Sequence, residues 1–178
     1  LDSLNAKTST YARHLATGAE IAVRADEPAD ALSVIKIPVL VQAFRDVEAG
    51  LLNLDERTAI GPQDRRNGTG VLKNFTPGLM PTYRDLLTQM IITSDNTATD
   101  LVIDKVGFDR VNELMGKLGY HQTRMQHTLA DYFRRRWELV DATNASLSNA
   151  EVFDQGFPRD GDAHQRDFVF EGNRHEWL

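Results

Sequence analysis

Apolar residues in the first quarter of the chain follow two patterns. Residues 8–16, "TSTYARHLA", are rich in Thr and Tyr and short enough for a strand. Thr17-Gly18 is a turn signal, and "EIAVRA" at 20–25 then alternates polar and apolar side chains. Together they predict a β-hairpin. "DEPAD" breaks the pattern, and Asp30 can cap the next segment. From 31 to 49 the apolar residues lie on nearly every side: Val34, Ile35, Ile37, Val39, Leu40, Val41, Phe44 and Val47. A helix apolar all round belongs in a core, and Gly50 is its stop.

The pattern changes twice more. Residues 53–80 hold two Pro, four Gly and many polar groups, which predicts a long irregular excursion. "TYRDLLTQMII" predicts a helix, with Thr82 and Asp85 at capping-box spacing. "SDN" at 94–96 interrupts it. A second helix over 97–106 turns Leu101, Val102 and Val106 inward and ends at Gly107. A third, "FDRVNELMGKLG", places Val111, Leu114, Met115 and Leu118 at helical spacing and is capped by Gly119. After Tyr120 the chain is polar and weakly periodic, and neither a helix nor a strand is predicted there. No internal repeat or low-complexity tract is present.

Composition narrows the function. A chain of 178 residues can bury one core. Its 41% hydrophobic and 26% charged content is that of a globular domain. The net charge of −6 argues against tracking nucleic-acid phosphates. No apolar run reaches the length of a membrane span, and without cysteine there are neither disulfides nor thiol chemistry. The sequence opens at Leu1 without a signal peptide, as a mature or trimmed chain would.

The candidate chemistry begins at "ALSVIKIPVL". Ser33 and Lys36 are spaced i, i+3, so on a helix they share a face. A serine hydroxyl needs a base to attack a carbonyl, and a desolvated lysine can serve. Ile35, Ile37 and Pro38 would supply the desolvation, and the first helical turn favours a developing oxyanion. The ordinary alternative is a capping serine with a snorkelling lysine, since S-x-x-K arises by chance about once in such a chain. Ser94-Asp95-Asn96 is rarer. It is either a helix–helix connection with Ser94 or Asn96 as N-cap, or a second serine and an amide converging on the first helix. In the latter case Ser94 passes a proton to a leaving nitrogen. Asn96 holds a substrate carbonyl and Lys36, and Asp95 ties down the loop backbone.

S-x-x-K followed about sixty residues later by S-D-N resembles the signature of class A β-lactamases and penicillin-binding proteins. "LTQMIITSDNTATDLVIDKVG" and "RVNELMGKLGY" resemble the segments around and after that family's S-D-N loop, and the hairpin matches its first two strands. The resemblance covers roughly residues 1–125. It implies Ser33 as acylated nucleophile, Lys36 as base or relay, Ser94 as proton shuttle and Asn96 as substrate-amide contact. Two departures stand out. Arg136-Trp137-Glu138 matches the start of the R-W-E-x-x-L-N stretch, whose glutamate activates the deacylating water on an Ω-shaped loop, but the L-N does not follow. Glu138 is therefore either that base or a solvated glutamate. Nothing after Asn96 reads K-T-G or K-S-G, the strand that completes the family's site. Lys7-Thr8-Ser9 precedes Ser33 and is read as coincidence.

The resemblance implies an α/β (α+β) fold, a helical subdomain beside an antiparallel sheet, with the C-terminal strands missing. Residues 1–178 are expected to form a single partial domain, a fragment of a longer protein. Within it, 1–26 hold the end of an N-terminal helix and the hairpin, 30–119 the helical subdomain, and 120–178 an Ω-loop-like, irregular region. The implied function is β-lactam hydrolysis through an acyl-serine, without metal or organic cofactor. The alternatives are a D,D-peptidase or penicillin-binding protein with slow deacylation, and a non-catalytic binding module. The implied partner is a β-lactam or a D-Ala-D-Ala-like peptide. A monomer is expected unless strands are swapped, in a periplasmic or secreted setting. His164, His175 and Glu176 fit no metal motif, Asn144-Ala145-Ser146 is a glycosylation sequon, and Gly68 and Gly70 of "NGTG" are read as loop glycines.

Overall fold

The computed structural model describes residues 8–158. The chain divides into two compact units, Leu1–Asp30 and Ala31–Leu178. The first is the expected hairpin: strands β1 (Thr10–Arg13) and β2 (Glu20–Val23) are antiparallel, with Thr10 opposite Val23 and Arg13 opposite Glu20. The turn closes through His14 N–H to the Ala19 carbonyl at 2.8 Å. The Tyr11 hydroxyl donates across the strands to Glu20 at 2.9 Å. Such cross-strand pairs are the stabilising units of a two-stranded ribbon, and both faces of this one are exposed.

The second unit is helical. A 3-10 turn (Leu32–Ile35) leads into α1 (Lys36–Glu48); α2 (Tyr83–Ile92), α3 (Asn96–Val106) and α4 (Phe108–Lys117) come next. The capping box at Thr82 forms as the spacing predicts, with Asp85 N–H donating to the Thr82 hydroxyl at 3.1 Å and Thr82 N–H to the Asp85 carboxylate at 2.9 Å. Helix α3 runs through the centre, with Ala98, Val102, Ile103 and Val106 in the core beside Val39, Leu86, Met90 and Val111. It packs against α1, α2 and α4. Leu118 is exposed, because α4 ends before it and Gly119 adopts φ 87°.

The expected all-round core helix is instead one-sided. Of the apolar residues counted on it, Val39 is fully buried, whereas Val34, Ile37, Val41 and Phe44 are exposed. Polar side chains fill part of the buried face because each has partners there: Lys36 from the S-D-N loop, and Gln42 and Asp46 from one another and from Arg110. No side chain caps the 3-10 turn or α1, so the cap expected from Asp30 is absent.

The segment after Tyr120 also departs from expectation. Where an irregular, Ω-loop-like region is predicted, the structure has α5 (Leu129–Val140), a 3-10 turn (Ala142–Ser146) and α6 (Asn149–Gln155). Both helices start at side-chain caps: Asp131 N–H donates to Thr128 at 3.1 Å, and Ser148 exchanges bonds with Glu151. Helix α5 packs on α3 and α6. Asn67 Nδ2 donates to the Val152 and Gly156 carbonyls, fastening α6 to the excursion before α2. Among the described residues no helix is long and apolar enough to cross a membrane.

Candidate active site

Lys36 is the first residue of α1 and is 3% exposed. A buried ammonium needs its three N–H groups satisfied. Here Nζ donates to the Ser94 carbonyl (2.6 Å), the Ser94 hydroxyl (2.8 Å) and Asn96 Oδ1 (2.9 Å). Ser94 Oγ in turn lies 2.9 Å from Ser33 Oγ. The two serines and the lysine thus form one chain, Ser33–Ser94–Lys36, and Ser33 at its end is exposed. Burial lowers the Lys36 pKa from 10.5 to about 8, partly opposed by the negative charges of Asp95 and Asp100. Of the residues expected to desolvate the lysine, Pro38 is buried and Ile35 partly so, whereas Ile37 points to solvent.

Left-handed backbone occurs at Ser94 and at the residue before Ser33. Leu32, immediately before Ser33, has φ 46°, and Ser94 has φ 54°. Left-handed conformations in non-glycine residues cost on the order of 1 kcal/mol or more and persist only where surrounding bonds fix them. The bonds around Ser94 are on hand. Its carbonyl accepts from Lys36 and from the Thr69 hydroxyl (2.7 Å). Asp95, rather than Ser94 or Asn96, is the N-cap of α3, accepting from Ala98 N–H at 2.9 Å. Its other oxygen accepts from Val71 N–H (2.6 Å) and Leu72 N–H (2.8 Å).

The "NGTG" stretch, read from sequence as an ordinary loop, is the other half of this arrangement. Asn96 N–H donates to the Thr69 carbonyl (3.1 Å), and Asn96 Nδ2 donates to the Asn67 carbonyl (2.8 Å). The amide has a second hydrogen that can donate to a further partner. A β-carbon on Gly70 (φ 108°) would sit 2.3 Å from the Asp95 carboxylate, and one on Gly68 (φ 83°) 2.6 Å from Asn96 Nδ2. Only glycine permits this approach. Two glycines two residues apart in a loop were the available signal. What they approach lies 25 or more residues away and is set by the fold.

Helix α5 is held to the same site by a buried ion pair. Arg66 Nε and Asp100 Oδ2 are 2.6 Å apart, with both side chains under 8% exposed. Asp100 also accepts from Leu129 N–H and Ala130 N–H, each at 2.8 Å. These are orphan donors of the α5 N-terminus, where a carboxylate is favoured.

Between these elements lies a cavity of about 260 Å³. Ser33, Lys36 and Asn96 reach it from one side; Leu129, Phe133 and Phe157 close the other. Among the described residues no Asp or Glu lines it. Glu138 lies elsewhere on α5, 3.3 Å from Arg135 one turn away. The R-W-E stretch is helical here and not an Ω-shaped loop, because the Thr128 cap and the Asp100 carboxylate start a helix at Leu129 that runs through it. The structure therefore gathers Ser33, Lys36, Ser94, Asp95 and Asn96, and leaves Glu138 outside. Among the described residues no group of three or more His, Asp or Glu could hold a metal ion. His164, His175, Glu176 and Lys7 lie outside the described residues.

Comparison with known proteins gives the family of the chain. The model of the beta-lactamase enzyme family matches residues 1–157. A β-lactamase from Sphaerobacter thermophilus superposes with a TM-score of 0.60 at 29% identity, over 78% of this chain and 57% of that one. PBP-A superposes at 0.64 with 25% identity, over 82% of this chain and 59% of that one. A PBP-A variant solved as an acyl-enzyme complex with penicillin G is 30% identical, covering 67% of this chain and 46% of that one, also at 0.64. The β-lactamase regulatory protein BlaB of Streptomyces cacaoi is 21% identical over 149 residues. This chain spans 48% of that relative's length, about half. The family match extends over most of the sequence, and the neighbours share the α/β frame that carries it. The chain belongs to the β-lactamase enzyme family, within the superfamily of serine β-lactamases and penicillin-binding proteins.

Proposed function

We propose that this protein is a serine hydrolase that opens β-lactams by acylation of Ser33. The observation that carries the reading is the hydrogen-bonded chain from Ser33 Oγ through Ser94 Oγ to Lys36 Nζ, with links of 2.9 and 2.8 Å. At pH 7 a lysine of pKa about 8 is neutral about a tenth of the time, against roughly one part in three thousand for an ordinary lysine. In that neutral state the chain of hydroxyls reverses. Ser33 O–H donates to Ser94 Oγ, and Ser94 O–H donates to the Nζ lone pair.

Attack then forms the bond from Ser33 Oγ to the lactam carbonyl carbon, as the Ser33 proton passes to Ser94 and the Ser94 proton to Lys36. Collapse breaks the carbon–nitrogen bond. The proton held on Lys36 returns through Ser94 to the leaving nitrogen, leaving an acyl-serine and a neutral lysine. The N-terminal end of thirteen-residue α1, which begins three residues after Ser33, favours negative charge on the carbonyl oxygen. Asn96 orients the substrate amide through its second Nδ2 hydrogen. Asp95 holds the loop. A β-lactam or a D-Ala-D-Ala-like peptide suits this chemistry, in a periplasmic or secreted setting.

Release of the acyl group needs an activated water. Among the described residues no carboxylate lines the cavity, which favours slow release, the behaviour of a penicillin-binding protein rather than of an efficient lactamase. Intact-mass spectrometry with benzylpenicillin tests the proposal. The expected result is a one-to-one adduct, mapped to Ser33, that persists for minutes or longer and is absent from Ser33→Ala. Absence of any adduct at millimolar penicillin would refute the assignment. Turnover without accumulation would refute slow release.

A further inference from the structure

Another cavity, of about 270 Å³, lies between α1 and α4 and shares no lining residue with the one beside Ser33. Its two walls repeat one spacing. Gln42, Arg45 and Asp46 line it from α1, with Ala49 at the end of that helix, and Arg110, Glu113, Leu114 and Lys117 line it from α4. Steps of three, one and three residues put each set on one side of its helix. Leu51 completes the lining. Three cations meet two carboxylates here, in a chain whose net charge is −6.

The two carboxylates are not equivalent. Asp46 is buried and engaged from within. Its Oδ1 accepts from Gln42 Nε2 at 2.8 Å, and its two oxygens accept from the two Nη atoms of Arg110. That bidentate pair, with a bond from Nη1 to the Val106 carbonyl at 2.9 Å, fixes the guanidinium in place. A guanidinium has five N–H groups and these bonds use three, so Arg110 can donate to a further partner. Glu113 lies 3.7 Å from Lys117, with both side chains mostly exposed, and water screens such a pair. Arg45 is exposed in the last turn of α1, and among the described residues no ion pair holds it. Gln42 is only 6% exposed. Its bond to Asp46 fixes the amide plane, and its oxygen can accept from a further partner.

We propose that this cleft binds a carboxylate that carries an amide N–H on the adjoining carbon, the chemistry of a peptide's C-terminal residue or of an N-acyl amino acid. Arg45 and Arg110 take the carboxylate, and the Gln42 oxygen accepts the N–H. Leu51 and Leu114 meet an aliphatic side chain. One cation in excess matches a single negative charge, and a phosphate or sulfate would bring no donor for Gln42. The proposal stands apart from Ser33 acylation, because Ser33 does not line this cleft.

The experiment titrates the intact, nitrogen-15-labelled protein with acetyl-Ala-Ala-Leu and with N-acetyl-leucine, following amide shifts by NMR. Saturable shifts are expected along 42–51 and 110–117, unchanged in Ser33→Ala. The tighter ligand of the two identifies the source, a peptide or a free N-acyl amino acid. The C-terminal amide of the tripeptide, which lacks the carboxylate, and acetate, which lacks the N–H, are each expected to bind about tenfold more weakly or worse. Arg45→Gln, at an exposed position, is expected to weaken binding about fivefold or more, and Glu113→Gln to tighten it by removing a like charge.

The absence of saturable shifts at these two helices with either ligand well above millimolar concentration would overturn the proposal. Shifts confined to Ser33 and 94–96 would overturn it as well, by placing the ligand in the other cavity. Acetate binding as tightly as the tripeptide would reduce the cleft to a general anion site, and unchanged affinity in Arg45→Gln would remove the cation on which the assignment depends. Neither result would touch the acylation of Ser33.

Discussion

Lys36 is the residue on which the site turns, and its charge state predicts two pH dependences. Burial lowers its pKa to about 8, so the neutral form that can accept a proton grows tenfold per pH unit below that value and levels off above it. The rate of Ser33 acylation should therefore rise with pH, with a midpoint near 8, and a profile flat between pH 6 and 9 would exclude Lys36 as the base. Lys36→Met should cost about 10²–10⁴ in rate. The stability effect has the same sign. The folded pKa lies below the unfolded value of 10.5, so the unfolded chain binds more protons between about 8 and 10.5, and this residue's contribution to stability rises with pH across that window. Ser33, Lys36, Ser94 and Asn96 were legible in the sequence because short motifs carry their own spacing. Their partners in 67–70 were not. Asn67 offers only a backbone carbonyl to the site, and Gly70 matters through a β-carbon it lacks. Neither leaves a side-chain signature.

Among the elements, α5 is the one whose presence most changes the site, and its attachment can be tested. It is tied to α3 by Asp100, which meets Arg66 and two N-terminal amides at once. Removing one member of a buried pair leaves the other charged and uncompensated, which costs about 3–5 kcal/mol. Asp100→Asn should thus lower the unfolding free energy by about 3 kcal/mol or more in urea titration. A change below about 1 kcal/mol would show that Arg66 finds another acceptor. Helices α2, α3 and α4 could be read from the sequence because each joins an apolar period to an end signal: the capping box at Thr82 for α2, Gly107 after α3 and Gly119 after α4. Helix α5 was missed because Arg134, Arg135 and Arg136 split its apolar residues into two separate groups. The signals that do exist are the T-x-x-D and S-x-x-E spacings at 128–131 and 148–151, which the structure uses as caps. The opposite error at α1 has a matching cause. A run of apolar residues gives no direction, and the buried face was chosen by the polar partners of Lys36, Gln42 and Asp46.

For the whole molecule, the same α1 and the 3-10 turn before it leave a row of apolar side chains in solvent: Val34 (64% exposed), Ile37 (55%), Val41 (39%) and Phe44 (48%). Their spacing of three, four and three residues puts them on one side of the helix axis. At neutral pH the net charge of −6 opposes contact between such surfaces by mutual repulsion. That repulsion vanishes near the isoelectric point of about 5.3, whereas the apolar row is unaffected by pH. Solubility should therefore pass through a minimum close to pH 5.3, read as light scattering across a pH series at fixed protein concentration. Salt should deepen the problem at pH 7 by screening the remaining charge. The double variant Val41→Thr, Phe44→Ser alters no charge and so keeps the isoelectric point. It should leave the position of the minimum in place and reduce its depth, along with the fluorescence of a hydrophobic dye. Both substitutions are at exposed positions, where changes in folding stability are within about 0.5 kcal/mol, so a loss of scattering would not be an effect of altered folding. Scattering of undiminished strength in the double variant would show that charge neutralisation alone drives association and that the α1 row takes no part in it.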